Sequence, residues 1–230
     1  MTTFLITGCN RGIGLELARQ TAARGDHVIA TCRDLAAAAN LHALAAAHPA
    51  LVTLQALNVI VAESIAAAKT SIGLRQIDVL INNAGIIGPA QQSTLDMDFD
   101  GFARTLAVNT LAPLRIAQAF LPNLRVAADG KIANITSGMG SMSYAKSDRI
   151  AYRAAKAAVN KVMQGLASDV KPLGVAVLLL HPGWVRTDMG GAGASISASD
   201  SAAGILAQID ALTLARSGSF VDYAGKTMPW

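Results

Sequence analysis

Short apolar runs of strand length alternate with longer, alanine-rich stretches along most of this chain. Thr3–Thr7, His27–Cys32, Leu51–Leu57, Ile77–Ile81, Lys131–Thr136, Gly174–Leu180 and Gly218–Tyr223 read as strands, several apolar at almost every position. Strands buried on both faces look like this, because neither side meets water. The stretches between them read as helices. One opens at Leu15–Gln20, others span Leu35–Ala47 (closed by His48-Pro49), Val61–Gly73 and Asp148–Leu166, and a last one is expected to be capped by Asp200 and to run through Ala215. Asp96–Leu124 reads as mostly helical with an interruption near Pro113, whose ring cannot accommodate a regular turn before it. Strands alternating with helices of this length imply right-handed crossovers, and so a doubly wound α/β fold of about seven parallel strands with helices on both faces. Gly190–Ser199 is rich in Gly, Ala and Ser without an apolar period, and residues 188–200 are expected to form a flexible substrate loop.

Bulk properties narrow the class. A length of 230 residues suits one domain over residues 1–230, with no internal repeat and no linker to divide it. Hydrophobic residues make up 52% and charged residues 15%, which favours a compact globule over a disordered chain. No apolar run approaches the ~18 residues that cross a bilayer. The opening residues lack the basic segment and cleavage site of a signal peptide. Two cysteines, Cys9 and Cys32, make no disulfide framework, so a cytoplasmic location is expected. They read as small buried fillers, with redox control of a nearby ligand site as the alternative. The net charge of +4 is scattered without an aromatic stripe, which argues against nucleic acid. His27, His42, His48 and His181 show no metal-ligand spacing, and His181 reads as the residue before the Pro182 turn.

The chemistry concentrates at strand ends. The first strand runs into Thr7-Gly8-Cys9-Asn10-Arg11-Gly12-Ile13-Gly14 and then a helix. Strand, glycine turn and helix amino terminus make a phosphate cradle, since glycines admit a close anion and free N–H groups face it. At the tip of the second strand, where a carboxylate receives the ribose of NAD and an arginine receives the extra phosphate of NADP, stand Cys32 and Arg33. Arg11 is a second cation near the same place, so NADP(H) is preferred and NAD(H) remains possible; the alternative is that Arg33 pairs with Asp34 on the surface. Asn58 and Asn83 fall at the same edge of the sheet. Tyr152 and Lys156 lie four apart on one helix, on one face. They are either a surface pair or an acid/base couple in which the ammonium lowers the phenol's pKa.

Taken together, Thr7-Gly-x-x-x-Gly-x-Gly14, Asn82-Asn83-Ala84-Gly85, Asn109, Ser137, Tyr152-x-x-x-Lys156 and Pro182-Gly183 resemble the short-chain dehydrogenase/reductase family over essentially the whole chain. His181–Met189 and Tyr223–Trp230 are similar to the branch of C-factor signalling proteins and sniffer-type carbonyl reductases. The resemblance implies that Tyr152 is the general acid in carbonyl reduction. Lys156 tunes it and meets the nicotinamide ribose, Ser137 holds the substrate oxygen, and Asn109 anchors a water linking Lys156 to solvent. It further implies cofactor contacts from Gly8, Asn10, Arg11, Gly12, Ile13, Gly14, Arg33, Asn58, Val59, Asn83, Ala84, Gly85, Pro182, Gly183, Val185 and Thr187. A small aldehyde, ketone or alcohol is the implied substrate, without membrane or nucleic-acid partners. A homodimer or homotetramer would form through Asp96–Leu124 and Ala151–Lys171. Rival readings are an NAD-dependent alcohol dehydrogenase and a dinucleotide-binding signalling protein with little turnover.

Three features depart from the family pattern. Asn58 stands where an aspartate is usual, the Ser137–Tyr152 separation is long, with Ser141, Ser143 and Ser147 offering competing hydroxyls, and the segment after Thr187 is short, which suggests an open pocket with loose specificity.

Overall fold

Seven parallel strands form one sheet in a computed structural model that describes residues 1–230. The first half runs β1 (Thr3–Ile6), α1 (Gly12–Ala23), β2 (His27–Cys32), α2 (Ala39–Ala47), β3 (Val52–Ala56), α3 (Ala62–Ile72) and β4 (Val79–Asn82). A small antiparallel hairpin, β5 (Gln92–Ser93) and β6 (Asp96–Met97), leads into α4 (Phe99–Leu106) and α5 (Ala112–Leu124). The chain continues through β7 (Gly130–Ile135), α6 (Ile150–Val170), β8 (Val175–His181), α7 (Ala198–Asp210) and β9 (Ser219–Asp222). Strand order is β3-β2-β1-β4-β7-β8-β9. The direction of growth therefore reverses between β1 and β4, and a crevice opens above their carboxyl ends.

The apolar strands divide their side chains between two cores. Phe4, Ile6, Val28, Ala30, Val79, Ile81, Ala133, Leu178 and Leu180 face one layer with Leu17, Leu41, Ile205 and Ile209. Leu5, Ile29, Leu80, Ile132, Val177 and Leu179 face the other, with Ile65, Ile116, Phe120, Val159 and Met163. Alternation along each strand produces this split, since successive side chains leave opposite faces.

The expected elements are present, and several bounds move. The second helix starts at Ala39 rather than Leu35, because residues 35–37 form a turn in which Asp34 Oδ1 accepts from Ala37 N (3.4 Å). The interruption expected near Pro113 takes the form of a π turn over Ala107–Leu111. Pro113 offers no N–H to the carbonyl of Asn109 and its ring crowds that carbonyl, so the helix widens one turn upstream. The hairpin before Phe99 was unforeseen, since two-residue strands leave no period. Asp200 does not cap the last helix. Ser197 does, its Oγ accepting from Asp200 N (3.0 Å) and donating to Asp200 Oδ2 (2.6 Å), and the helix ends at Asp210, short of Ala215. Part of the stretch expected to be a structureless loop is tied down: Arg186 N donates to Ile196 O (2.9 Å), Ile196 N to Trp184 O (3.1 Å), and Ala194 is buried.

Phe120 is fully buried between α5 and the sheet. Truncating it removes a ring's worth of apolar contact and leaves a cavity, so Phe120→Ala should lower the unfolding free energy by about 3–5 kcal/mol in urea titration.

Candidate active site

Above the β1–β4 reversal lies a cleft of about 620 Å³. Its floor depends on residues that need to be small or to stitch. Gly8 has φ +74°, and a Cβ on Gly14 would overlap the carbonyl oxygen of Gly8 and the amide of Asn83, so no other residue fits there. Asn83 Nδ2 donates to the carbonyls of Thr7 (2.9 Å) and Gly8 (3.1 Å), while Thr7 Oγ1 accepts from the N–H groups of Asn83 and Ala84 (both 3.0 Å). These bonds lock the tip of β4 to the glycine turn. Helix α1 begins beyond Arg11 without a side-chain cap, leaving its first N–H groups directed at the cleft. A cradle of glycines, free N–H donors and two arginines fits a dinucleotide carrying phosphates.

The cleft gathers most of the expected cofactor residues. Gly8, Asn10, Arg11, Gly12, Ile13, Gly14, Arg33, Asn58, Val59, Asn83, Ala84, Gly85, Tyr152, Lys156, Pro182 and Thr187 all line it. Gly183 and Val185 do not. Val185 turns inward and is buried, and Gly183 (φ +84°) packs against Ile196 and Tyr223. Arg33 forms no ion pair with Asp34, which removes the surface alternative. Arg11 instead reaches across the cleft to Asp188 (2.6 Å). Asn58 Oδ1 faces its own loop, accepting at 3.4 Å from Ile60 N.

Tyr152 and Lys156 are 8% and 5% exposed, so they are no surface pair. Lys156 Nζ donates to Ile135 O (2.8 Å) and stands 5.8 Å from the centre of the Tyr152 ring. Burial pushes the ammonium down to about 8. The phenol departs from expectation: its pKa is raised, because burial outweighs everything else. The groups drawing it back down are the Ser137 hydroxyl and the Arg149 charge, in place of Lys156. Ser137 Oγ accepts from Met139 N (3.1 Å), which leaves its own hydrogen to give. Ser141 and Ser143, two of the three competing hydroxyls, both donate to the main-chain oxygen of Trp230 (3.2 Å each). Asn109 stands in the π turn with both ends of its amide on Ile86: Nδ2 donates to Ile86 O (2.8 Å) and Oδ1 accepts from Ile86 N (2.9 Å). Its amide thus ties Ile86 into the wall of the cleft.

Some contributors carry no sequence signal. Gln92 Oε1 accepts from Tyr152 N (3.1 Å), satisfying a donor that the first turn of α6 leaves free, and its Nε2 donates to Ile87 O and Pro89 O. Arg149, just before that helix, has φ 52°, the one non-glycine residue in the left-handed region. Arg104, Ile60, Ile86 and Met189 also line the cleft. A single glutamine or arginine far away in sequence has no spacing to betray it.

Because burial disfavours the Lys156 ammonium, folded lysine releases its proton near pH 8, whereas the unfolded side chain keeps its proton up to its ordinary value of 10.5. Below pH 8 that mismatch destabilises the ligand-free protein by about 3 kcal/mol, and it fades as pH rises from 8 to 10.5. Lys156→Met should therefore be more stable than the wild type at pH 7. That advantage should shrink through the same window, as measured by denaturant unfolding across pH.

Comparison with known proteins agrees with this geometry. Residues 2–195 match the short chain dehydrogenase family. The C-signal of Myxococcus xanthus is 45% identical over 163 residues, covering 70% of this chain and 97% of that protein. The 1-hydroxy-2-glutathionyl-2-methyl-3-butene dehydrogenase of Rhodococcus sp. (strain AD45) is 34% identical over 239 residues and spans both chains completely. The NADPH-bound carbonyl reductase from chicken fatty liver superposes with a TM-score of 0.94 at 34% identity, covering 100% of this chain and 99% of its own. Carbonyl reductase Sniffer of D. melanogaster reaches 0.91 at 32% identity over 100% of both chains. With a glycine cradle at the sheet reversal and a buried tyrosine–lysine pair beside it, the chain belongs to the short chain dehydrogenase family.

Proposed function

We propose that this protein is an NADP(H)-dependent reductase of aldehydes and ketones that also runs in the alcohol-oxidising direction. The observation that carries the reading is the buried Tyr152–Lys156 pair at the inner end of a phosphate-ready cleft. NADPH-bound and NADP-bound relatives of the same fold support the cofactor. Arg33, unpaired at the rim, and Arg11 are the residues to receive the additional phosphate. The Arg11–Asp188 pair is exposed on both sides, 71% and 74%, and an exposed pair stabilises by at most about 1 kcal/mol. A phosphate dianion can therefore take Arg11 at little cost. NAD(H) lacks that phosphate and is the weaker alternative.

The bound cofactor supplies the hydride. Tyr152 Oη gives its proton to the carbonyl oxygen as that atom gains charge, and Ser137 donates a hydrogen bond to the same oxygen. Lys156, whose ammonium burial pushes down to about 8, exchanges its proton near neutrality, while Ser137 and Arg149 favour the phenolate left behind. Asn109 acts by positioning, since its amide holds Ile86 beside the pair. Met142, Tyr144, Trp184 and Met189 expose apolar surface on the loops leaving β7 and β8, which suits carbonyl compounds with apolar substituents.

A cytoplasmic, single-domain enzyme that self-associates completes the reading. No helix is long and apolar enough to cross a membrane. Phe99 and Leu111 present exposed apolar side chains at α4 and the π turn, a surface suited to a second copy. The 45% identity to C-signal supports the second reading, a dinucleotide-binding signalling protein. NADPH consumption against a carbonyl panel separates the two, because tight binding without turnover on any carbonyl favours signalling.

Tyr152→Phe should lower kcat/KM by about 10²–10⁴ while leaving NADPH binding within a few fold. Undiminished turnover would remove the mechanism. Arg33→Ala should weaken NADPH by about 10–100-fold and leave NADH unchanged, as read by fluorescence titration.

A further inference from the structure

The turn that begins at Ser137 is gripped from three directions, and one grip comes from a stretch the reaction leaves without a role. Gly138–Gly140 forms one 3-10 turn. A Cβ on Gly140 would lie 2.7 Å from the carbonyl carbon of Lys156, so the turn lies against the backbone of α6. A Cβ on Gly138 would meet His181 Nε2 at 3.3 Å and Met228 Cε at 3.3 Å. The His181 ring is half-buried, with no partner for Nδ1, and burial holds its pKa down against the opposing pull of Asp222; it serves as a flat neutral plate. Met228 is fixed in turn, its N–H donating to Phe220 O (2.9 Å), while Asp222 N donates to Lys226 O (2.9 Å).

Trp230 grips the far end. Its ring tilts against Phe220 with centroids 5.6 Å apart, and its main-chain oxygen accepts from both Ser141 Oγ and Ser143 Oγ. Ser141 is buried, and its Oγ also accepts from Ser143 N (3.2 Å). A tryptophan left 44% exposed adds little to the core, yet two hydroxyls converge on its main-chain oxygen.

We propose that Lys226–Trp230 is a positioning element of the active site, pressing Met228 on Gly138 and tying Ser141 and Ser143 to Trp230 so that the Ser137 hydroxyl stays aimed at Tyr152. The proposal rests on the catalytic reading of Ser137 and Tyr152. Ser137 is one of two groups that favour the phenolate, so loosening its turn acts on the phenol without touching the cofactor cleft.

The test compares Trp230→Ala, Ser141→Ala and Ser137→Ala, singly and in pairs, on whichever carbonyl the wild type reduces fastest. Trp230→Ala and Ser141→Ala should each lower kcat by about 10-fold, since an ångström of misplacement carries losses up to about 10²-fold. Each should move the alkaline limb of the kcat–pH profile upward, as Ser137→Ala does, with NADPH affinity unchanged within twofold. Trp230→Phe should restore activity. Combining either variant with Ser137→Ala should add no further loss, because all three act through one hydroxyl. Amide exchange at Gly138–Ser143 should quicken in Trp230→Ala with or without substrate. Losses that multiply with Ser137→Ala, losses that follow weakened NADPH binding, or unaltered exchange in the turn would each overturn the proposal. Full turnover in Ser137→Ala beside an inactive Tyr152→Phe would remove the role of Ser137 alone. Full turnover in Tyr152→Phe would remove the reading of the reaction itself.

Discussion

Keeping an ammonium out of water is the constraint around which this molecule is arranged. Lys156 has one protein partner, the carbonyl of Ile135, and that single bond does not replace the solvation lost on burial. The surroundings must therefore hold the side chain in place at the fold's expense. A long helix carries it, a glycine turn lies flat on its backbone, and β7 supplies the acceptor. A group kept in an unfavourable state by packing around it is ready to change its charge when chemistry requires it. The neighbouring phenol is under the same pressure with the opposite effect, its proton held more firmly by burial.

The glycine cradle shows why so much of the site was readable in the chain itself. Gly8 and Gly12 are demanded by a positive φ and Gly14 by backbone close approach, and such demands leave a fixed spacing of glycines along the chain. The parallel sheet was equally visible, since strands buried on both faces announce themselves as unbroken apolar runs. What could not be read depends on contacts distant along the chain. Gln92 meets Tyr152 across 60 residues, and Ser141 meets Trp230 across 89. Neither pairing has a periodicity or a motif.

Two expectations changed for physical reasons of different kinds. The phenol was expected to be acidified by a lysine one turn away, an argument from proximity that left out desolvation, and burial proved the larger effect. The loop after Thr187 was expected to be formless from its composition. Instead Ile196 pairs with the segment after β8, and Ser197 supplies a cap that composition alone does not place. The π turn at Asn109 lies between these cases: the proline was visible, and its effect falls a turn earlier because its ring crowds the carbonyl behind it.

The reversal of strand order has a consequence for how this protein survives in solution. The first three strands are one continuous length of chain, the remaining four another, and β1 with β4 is the only strand pairing between them. Whatever occupies the crevice above that seam touches both lengths at once. Occupancy then works as a staple, and resistance to unfolding, heat or proteases rises with ligand concentration although no protein–protein contact is added.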